Sequence, residues 1–167
     1  MKQKPVEPGS GSVAMTPIGI IRSPFKSKDG MPIQPFFSKA LGEVEVFREY
    51  AEGLKDVEGF SHIILLYIFH RAGHGYTLRI RPFLDKRERG LFATRYYRRP
   101  NPLGLSVVEV LGRHGRSLKI RRVDVLDGTP LLDIKPYVPK FDAVRKARIG
   151  WLEGRVSSGT TQFRSRR

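Results

Sequence analysis

The chain has 167 residues and carries 31 Lys and Arg against 16 Asp and Glu, a net charge of +15. With 40% hydrophobic, 28% charged and 10% aromatic residues, its composition is that of one folded domain and excludes disorder throughout. The absence of cysteine excludes a disulfide framework, a thiolate nucleophile and a Cys-ligated zinc, and the longest apolar run, seven residues at 63–69, falls far short of the roughly 18 a membrane span needs.

Residues 1–13 (MKQKPVEPGSGSV) are rich in Pro, Gly and Ser and lack an apolar h-region. They read as a flexible leader rather than a secretory signal, and the expected compartment is the cytoplasm. Strands follow. Residues 17–22 (PIGIIR) form a short apolar run closed by Ser23-Pro24. Residues 41–47 (LGEVEVF) alternate, with Val44 and Val46 on one side. A short helix is expected at 48–55. Residues 62–69 (HIILLYIF) are apolar on both faces, the pattern of a central strand. Residues 76–81 (YTLRIR) alternate again, and strands at 91–94, 105–111 (LSVVEVL) and 117–125 (SLKIRRVDV) complete the set. In the last, Leu118 and Ile120 share one parity while Val123 and Val125 share the other. A one-residue bulge near Arg121-Arg122 reconciles them. Asp142 is expected to N-cap a second helix that places Val144, Ala147 and Trp151 on one face. Residues 157–167 (SSGTTQFRSRR) read as a basic tail, disordered until it meets an anion.

About seven short strands separated by turns predict a mainly β fold: an antiparallel barrel or sandwich with one or two short helices. Closure into a small single-sheet β-barrel removes the edges that short strands otherwise expose. No Gly-rich loop lies between a strand and a helix, so the fold is non-Rossmann and has no P-loop. The expected organisation is a leader (1–13), one barrel domain (14–142) and a C-terminal helix with a basic tail (143–167). The two ends contribute +1 and +6 to the net charge, leaving +8 on residues 14–142. A folded core this basic attracts polyanions, and a nucleic-acid partner is expected.

Four constellations carry candidate chemistry. The first is RYYRRPNPLGLS at 95–106. Pro100 and Pro102 remove backbone donors and exclude a central strand. Asn101 between them is held extended with its polar groups displayed, and Gly104 allows close backbone approach to a ligand. Arg95, Arg98 and Arg99 interleave with Tyr96 and Tyr97, a mixture suited to phosphates and bases. The plainer alternative is a rigid proline turn beside a solvated arginine face. The second is DGTPLLDIKPY at 127–137, whose Asp127, Gly128, Thr129 and Pro130 form a turn. Free N–H groups and one carboxylate there would hold a ribose or an ammonium; an ordinary Asp-Gly turn is the alternative. The third is His70, at the end of the most apolar strand, as a ligand donor, a general base or a structural histidine. The fourth is Gln34, pinned between Pro32 and Pro35, which presents a neutral bidentate group. No His, Asp and Glu set has metal-ligand spacing, so no metal is expected. Ser106 follows Leu105 without a nucleophile elbow.

In order and spacing, IGIIRSP (18–24), PIQP (32–35), GFSH (59–62), Phe69-His70, LFATR…RRPNPLGLS (91–106) and VDVLDGTPLLDIKPY (123–137) resemble the TsaA-like, or TrmO-type, tRNA methyltransferases. The resemblance implies a small β-barrel, usually a homodimer, that binds S-adenosyl-L-methionine outside any Rossmann fold and methylates N6 of threonylcarbamoyl-adenosine beside the anticodon of tRNA. It implies cofactor contacts from Gln34, Pro35, Phe69, His70, Arg95, Leu105, Asp127, Gly128, Thr129 and Pro130. Arg98, Arg99, Tyr96 and Tyr97 are the expected substrate contacts. An exocyclic adenine amine is a poor nucleophile and needs orientation more than a strong base. Asn101, by analogy with the Asn/Asp-Pro-Pro motif of other amino-methyltransferases, is the expected orienter of N6, and the proton leaves to water or to His70. Where family members commonly carry Ser-Pro or Ser-Thr after the arginine matching Arg95, this chain has Tyr96-Tyr97, so one wall of its pocket differs. The sequence runs only a short way past Trp151, so the barrel, the basic tail or a second subunit is expected to grip the tRNA. Two other readings fit the same residues: a non-catalytic RNA-binding barrel, and a methyltransferase of another nucleic acid or a small molecule.

Overall fold

The computed structural model describes residues 12–156. The basic tail at 157–167, and all of the expected leader but Ser12 and Val13, lie outside the described residues. Eight strands are present among the described residues: β1 (Gly19–Arg22), β2 (Leu41–Val46), β3 (His62–Ile68), β4 (Arg79–Ile80), β5 (Arg89–Gly90), β6 (Leu103–His114), β7 (Ser117–Arg121) and β8 (Thr129–Pro136). Six of them close an antiparallel barrel in the order β1-β2-β7-β6-β3-β8, with β8 pairing back onto β1. The expected single-sheet barrel is therefore the fold.

Period-two patterning builds the interior. On β3, Ile63, Leu65 and Tyr67 point inward and are at most 2% exposed, while Ile64, Leu66 and Ile68 are half-buried on the outside. Val44, Val108, Leu118, Ile120 and Leu131 meet them from the other strands. Each such side chain contributes roughly 1.5–3 kcal/mol by leaving water. Leu54, from a 3-10 helix at Arg48–Leu54, joins this core.

The expected strand at 117–125 ends at Arg121 as β7, and the parity switch comes just after it at Arg122, which has φ of 74°. The N–H groups of Arg122 and Val123 both donate to the Ala40 carbonyl, at 2.9 and 3.3 Å, two residues against one as in a bulge. The chain then leaves the sheet with Val123, Asp124, Val125 and Leu126 all buried.

Three expected elements differ. The strand at 91–94 is a 3-10 turn, Leu91–Ala93, because buried Leu91 anchors it and its N–H reaches Leu78. The strand at 76–81 shrinks to β4, paired only with β5 outside the barrel. Asp142 caps no helix: it ends a single α turn, α1 (Pro139–Asp142), and its carboxylate accepts the Val138 N–H at 2.6 Å. Lys146 and Gly150 have φ of 60° and 58°, which interrupts any helix through Trp151. Conversely the segment 129–136, singled out in the sequence for the turn at its start, is a full barrel strand, β8. It tolerates Pro130 near its start and Pro136 at its end, and it shifts register between Leu131 and Asp133.

Candidate functional site

One end of the barrel opens into a cleft of about 800 Å³. Three loops converge on it: Met31 to Gln34, the arginine loop around Arg95, and the segment from Asp124 through Leu126 to Thr129. The end of β3 (Tyr67, Phe69, His70), the start of β6 (Leu103, Gly104, Leu105) and Trp151 complete the wall. Arg95 Nη1 donates to Gln34 Oε1 at 2.9 Å and ties the first two loops together. Trp151 Nε1 donates to the Ala93 carbonyl at 2.7 Å, so the C-terminal segment closes one side.

The wall is aromatic and cationic. Phe69 packs edge-on against Tyr67 and Tyr97, with centroids 5.3 and 6.3 Å apart, and Tyr96 lies 4.6 Å from Tyr97. Lys28 places Nζ 3.8 Å from the centre of the Tyr97 ring, a cation–π contact. Tyr96-Tyr97 thus forms an aromatic side of the cleft.

The floor is polar and buried. Ser106 Oγ donates to Asp124 Oδ1 at 2.6 Å, and Tyr67 Oη lies 2.9 Å from Ser106 Oγ. The single Ser106 hydrogen goes to Asp124, so Tyr67 donates to Ser106. Tyr67, Ser106 and Asp124 are 2%, 2% and 8% exposed, and no Lys or Arg among the described residues forms an ion pair with Asp124. Burial pushes the Asp124 carboxyl up to about 7, against the opposing pull of the Ser106 hydrogen bond and the more distant Arg95 charge. Burial and the Asp124 charge likewise hold the Tyr67 hydroxyl well above its ordinary range. At the rim, burial and the Arg71 charge hold the His70 imidazole below its ordinary value.

Of the residues singled out in the sequence, Gln34, Phe69, His70, Arg95, Tyr96, Tyr97, Arg99, Leu105 and Thr129 line this one cleft. Others do not. Pro35 is buried at the first position of a 3-10 helix, Pro35–Phe37. The Asp127 turn has no free N–H groups to offer: those of Asp127, Gly128 and Thr129 donate to Phe25, Ile21 and Leu126. The Asp127 carboxylate takes Lys26 at 2.6 Å and the Ser23 N–H at 3.1 Å. Gly128 adopts φ of 77° to make the turn, and Pro130 pairs with Ile20. The turn's N–H groups therefore brace Thr129, which lines the cleft. Arg98 Nε closes onto the Ala72 carbonyl at 3.0 Å; Arg99, although it lines the cleft, turns Nη1 onto the Thr94 carbonyl at 2.9 Å, so both guanidinium groups pin the loop. Asn101 is exposed, its carbonyl accepts the Leu103 N–H, and it stands outside the cleft wall. Sequence reading missed the floor. Its one signal was Asp124, a lone charge between the apolar Val123 and Val125.

A closed antiparallel barrel with an aromatic, cation-rimmed cleft over a buried carboxylate is a small-ligand-binding barrel of non-Rossmann type. Residues 20–143 match the family model described as the tRNA-methyltransferase O N-terminal domain, and the chain belongs to that family. It is 56% identical over 145 residues to a Pyrococcus abyssi protein named as a probable S-adenosyl-L-methionine-binding protein, covering 86% of this chain and 78% of the relative. It is 38% identical over 146 residues to the Escherichia coli tRNA (adenine(37)-N6)-methyltransferase, covering 81% of this chain and 62% of that enzyme. The crystal structure of TrmO from Pseudomonas aeruginosa superposes with a TM-score of 0.70 at 40% identity, covering 84% of this chain and 63% of that one. The chain thus spans less than two thirds of both the E. coli enzyme and the P. aeruginosa structure.

Proposed function

We propose that the chain is an S-adenosylmethionine-dependent tRNA methyltransferase acting on N6 of an adenosine, specifically the threonylcarbamoyl-adenosine next to the anticodon. The observation that carries this reading is the convergence of the Gln34, Arg95 and Thr129 loops on one cleft. The donor set suits the cofactor. Arg95 and Lys28 are cations for a carboxylate, and Phe69 and Tyr97 are ring faces for a base. When bound, S-adenosylmethionine supplies an electrophilic methyl group. Gln34 and Arg95 hold the ligand from one side, and Phe69 and Tyr97 exclude water from the other. His70 stands at the rim, where the nucleotide enters. The +8 on residues 14–142 supplies the attraction for the RNA backbone.

The test is transfer of isotope-labelled methyl groups to tRNA from cells lacking this protein, read by mass spectrometry of the nucleosides. Methylated threonylcarbamoyl-adenosine is the expected product. Label in another nucleoside would overturn the substrate assignment. Tight tRNA binding without transfer would replace the enzyme by a non-catalytic RNA-binding barrel.

The active form in this reading is a homodimer. The outer face of β3 and β6 is apolar, with Leu103 and Leu105 41% and 47% exposed beside Leu66 and Ile68. Leu105 also borders the cleft, so a second copy docked there flanks the site. Leu105→Glu is expected to halve the mass measured by sedimentation. An unchanged mass would show that the face is not an interface.

A further inference from the structure

Methylation of an amine releases a proton, and the cleft must dispose of it. We propose that Asp124 is the acceptor, with Ser106 and Tyr67 as positioning residues that hold its carboxylate at the cleft floor. This rests on the methyl-transfer reading above. The three side chains come from three places: Tyr67 from β3, Ser106 from β6 and Asp124 from the segment after the Arg122 bulge. Their order is fixed by hydrogen count, Tyr67 donating to Ser106 and Ser106 to Asp124. Ser106 donates to Oδ1, and the receiving atom in this proposal is the other oxygen, Oδ2.

The step balances. The nitrogen gains the methyl group and gives up one N–H proton. The electron pair of the methyl group's former bond stays with sulfur. The proton passes to Asp124 Oδ2, and the neutral acid returns it to water through the cleft.

Two arguments favour Asp124 over His70. A buried carboxylate without a salt-bridge partner has a reason to be retained where it takes up positive charge during turnover. The two environments also push in opposite directions: burial makes Asp124 a stronger base and His70 a weaker one, and a general base works best near the operating pH. The charged and titratable groups that act on Asp124 are Arg95, on the facing loop, and Tyr67, which burial keeps protonated at neutral pH.

The experiment compares the whole chain with Asp124→Asn and Ser106→Ala. In the wild type, transfer is expected to rise as pH passes through about 7. Ser106→Ala removes a hydrogen bond that favours the ionised form, so its midpoint moves to higher pH. Asp124→Asn is expected to keep S-adenosylmethionine binding, measured by calorimetry, while transfer falls at least about a hundredfold. A readout independent of activity is thermal stability against pH. The folded protein raises the Asp124 pKa above its ordinary 3.8, so the stability from the neutral acid is complete below that value and is lost as pH climbs through about 7. Asparagine does not titrate. Asp124→Asn should therefore melt above the wild type at about pH 8, with the gap closing toward about pH 5. Wild-type transfer with an equally active Asp124→Asn overturns the proposal, as does a loss of transfer that merely follows a loss of cofactor binding. A wild type that neither binds cofactor nor transfers methyl overturns the functional reading instead, and the melting series still reports the charge state of Asp124.

Discussion

Gly104→Val is expected to cost the fold roughly 4 kcal/mol, close to the whole stability of many small domains. Gly104 of β6 sits directly opposite Tyr67 of β3 in the barrel register. A Cβ built on Gly104 falls inside the Tyr67 ring. The ring is held in place: it is 2% exposed, packs edge-on against Phe69, and its hydroxyl is bonded to Ser106. Displacing it breaks the buried hydrogen-bond chain as well as the packing, and a half-satisfied buried network is costlier than none. Urea unfolding measures the loss. The milder Gly104→Ala should be destabilised too, and adding Tyr67→Leu should restore part of its stability, because that removes the ring the new methyl meets. Such coupling is what contacting residues show. Gly104→Ala within about 0.5 kcal/mol of wild type would mean that Tyr67 does not cover this glycine.

The barrel was legible wherever one strand alternates or runs apolar between turn residues. The runs at 41–47, 62–69 and 105–111 became β2, β3 and β6 with small shifts at their ends. β8 was obscured because Pro130 and Pro136 read as punctuation, yet both sit where a strand can lack a donor. The segment at 91–94 misled in the other direction: Leu91 is apolar because it plugs a buried site from a 3-10 turn. No local pattern shows that Lys146 and Gly150 take positive φ, so in place of the expected helix from Asp142 through Trp151 only a 3-10 turn, Gly150–Leu152, forms at Trp151.

The site divides in the same way. Its loops were legible because Pro, Gly, Gln and Arg crowd together in those strings. Its floor was not. Ser106 and Asp124 are 18 residues apart in the chain, and Tyr67 and Ser106 are 39 apart, so only barrel closure brings them together. The Asp127 turn shows the converse. Its N–H groups look available in the sequence, but Ile21, Phe25 and Leu126 take them in the fold. Thr129 remains to face the cleft.

A cleft that receives a sulfonium nucleoside gripped from its cationic side must take up S-adenosylmethionine in solution, and calorimetric titration measures that uptake. The wild type is expected to show one saturable site per chain. Arg95→Ala removes the guanidinium that ties the two loops through Gln34. A hydrogen bond to a charged group is worth about 1.5–3 kcal/mol, so affinity should fall at least about tenfold while the barrel stays folded. Saturable heat from the wild type with a clearly weakened Arg95→Ala is the predicted result. No heat and no thermal shift from the wild type, or an Arg95→Ala that binds as tightly, would contradict it.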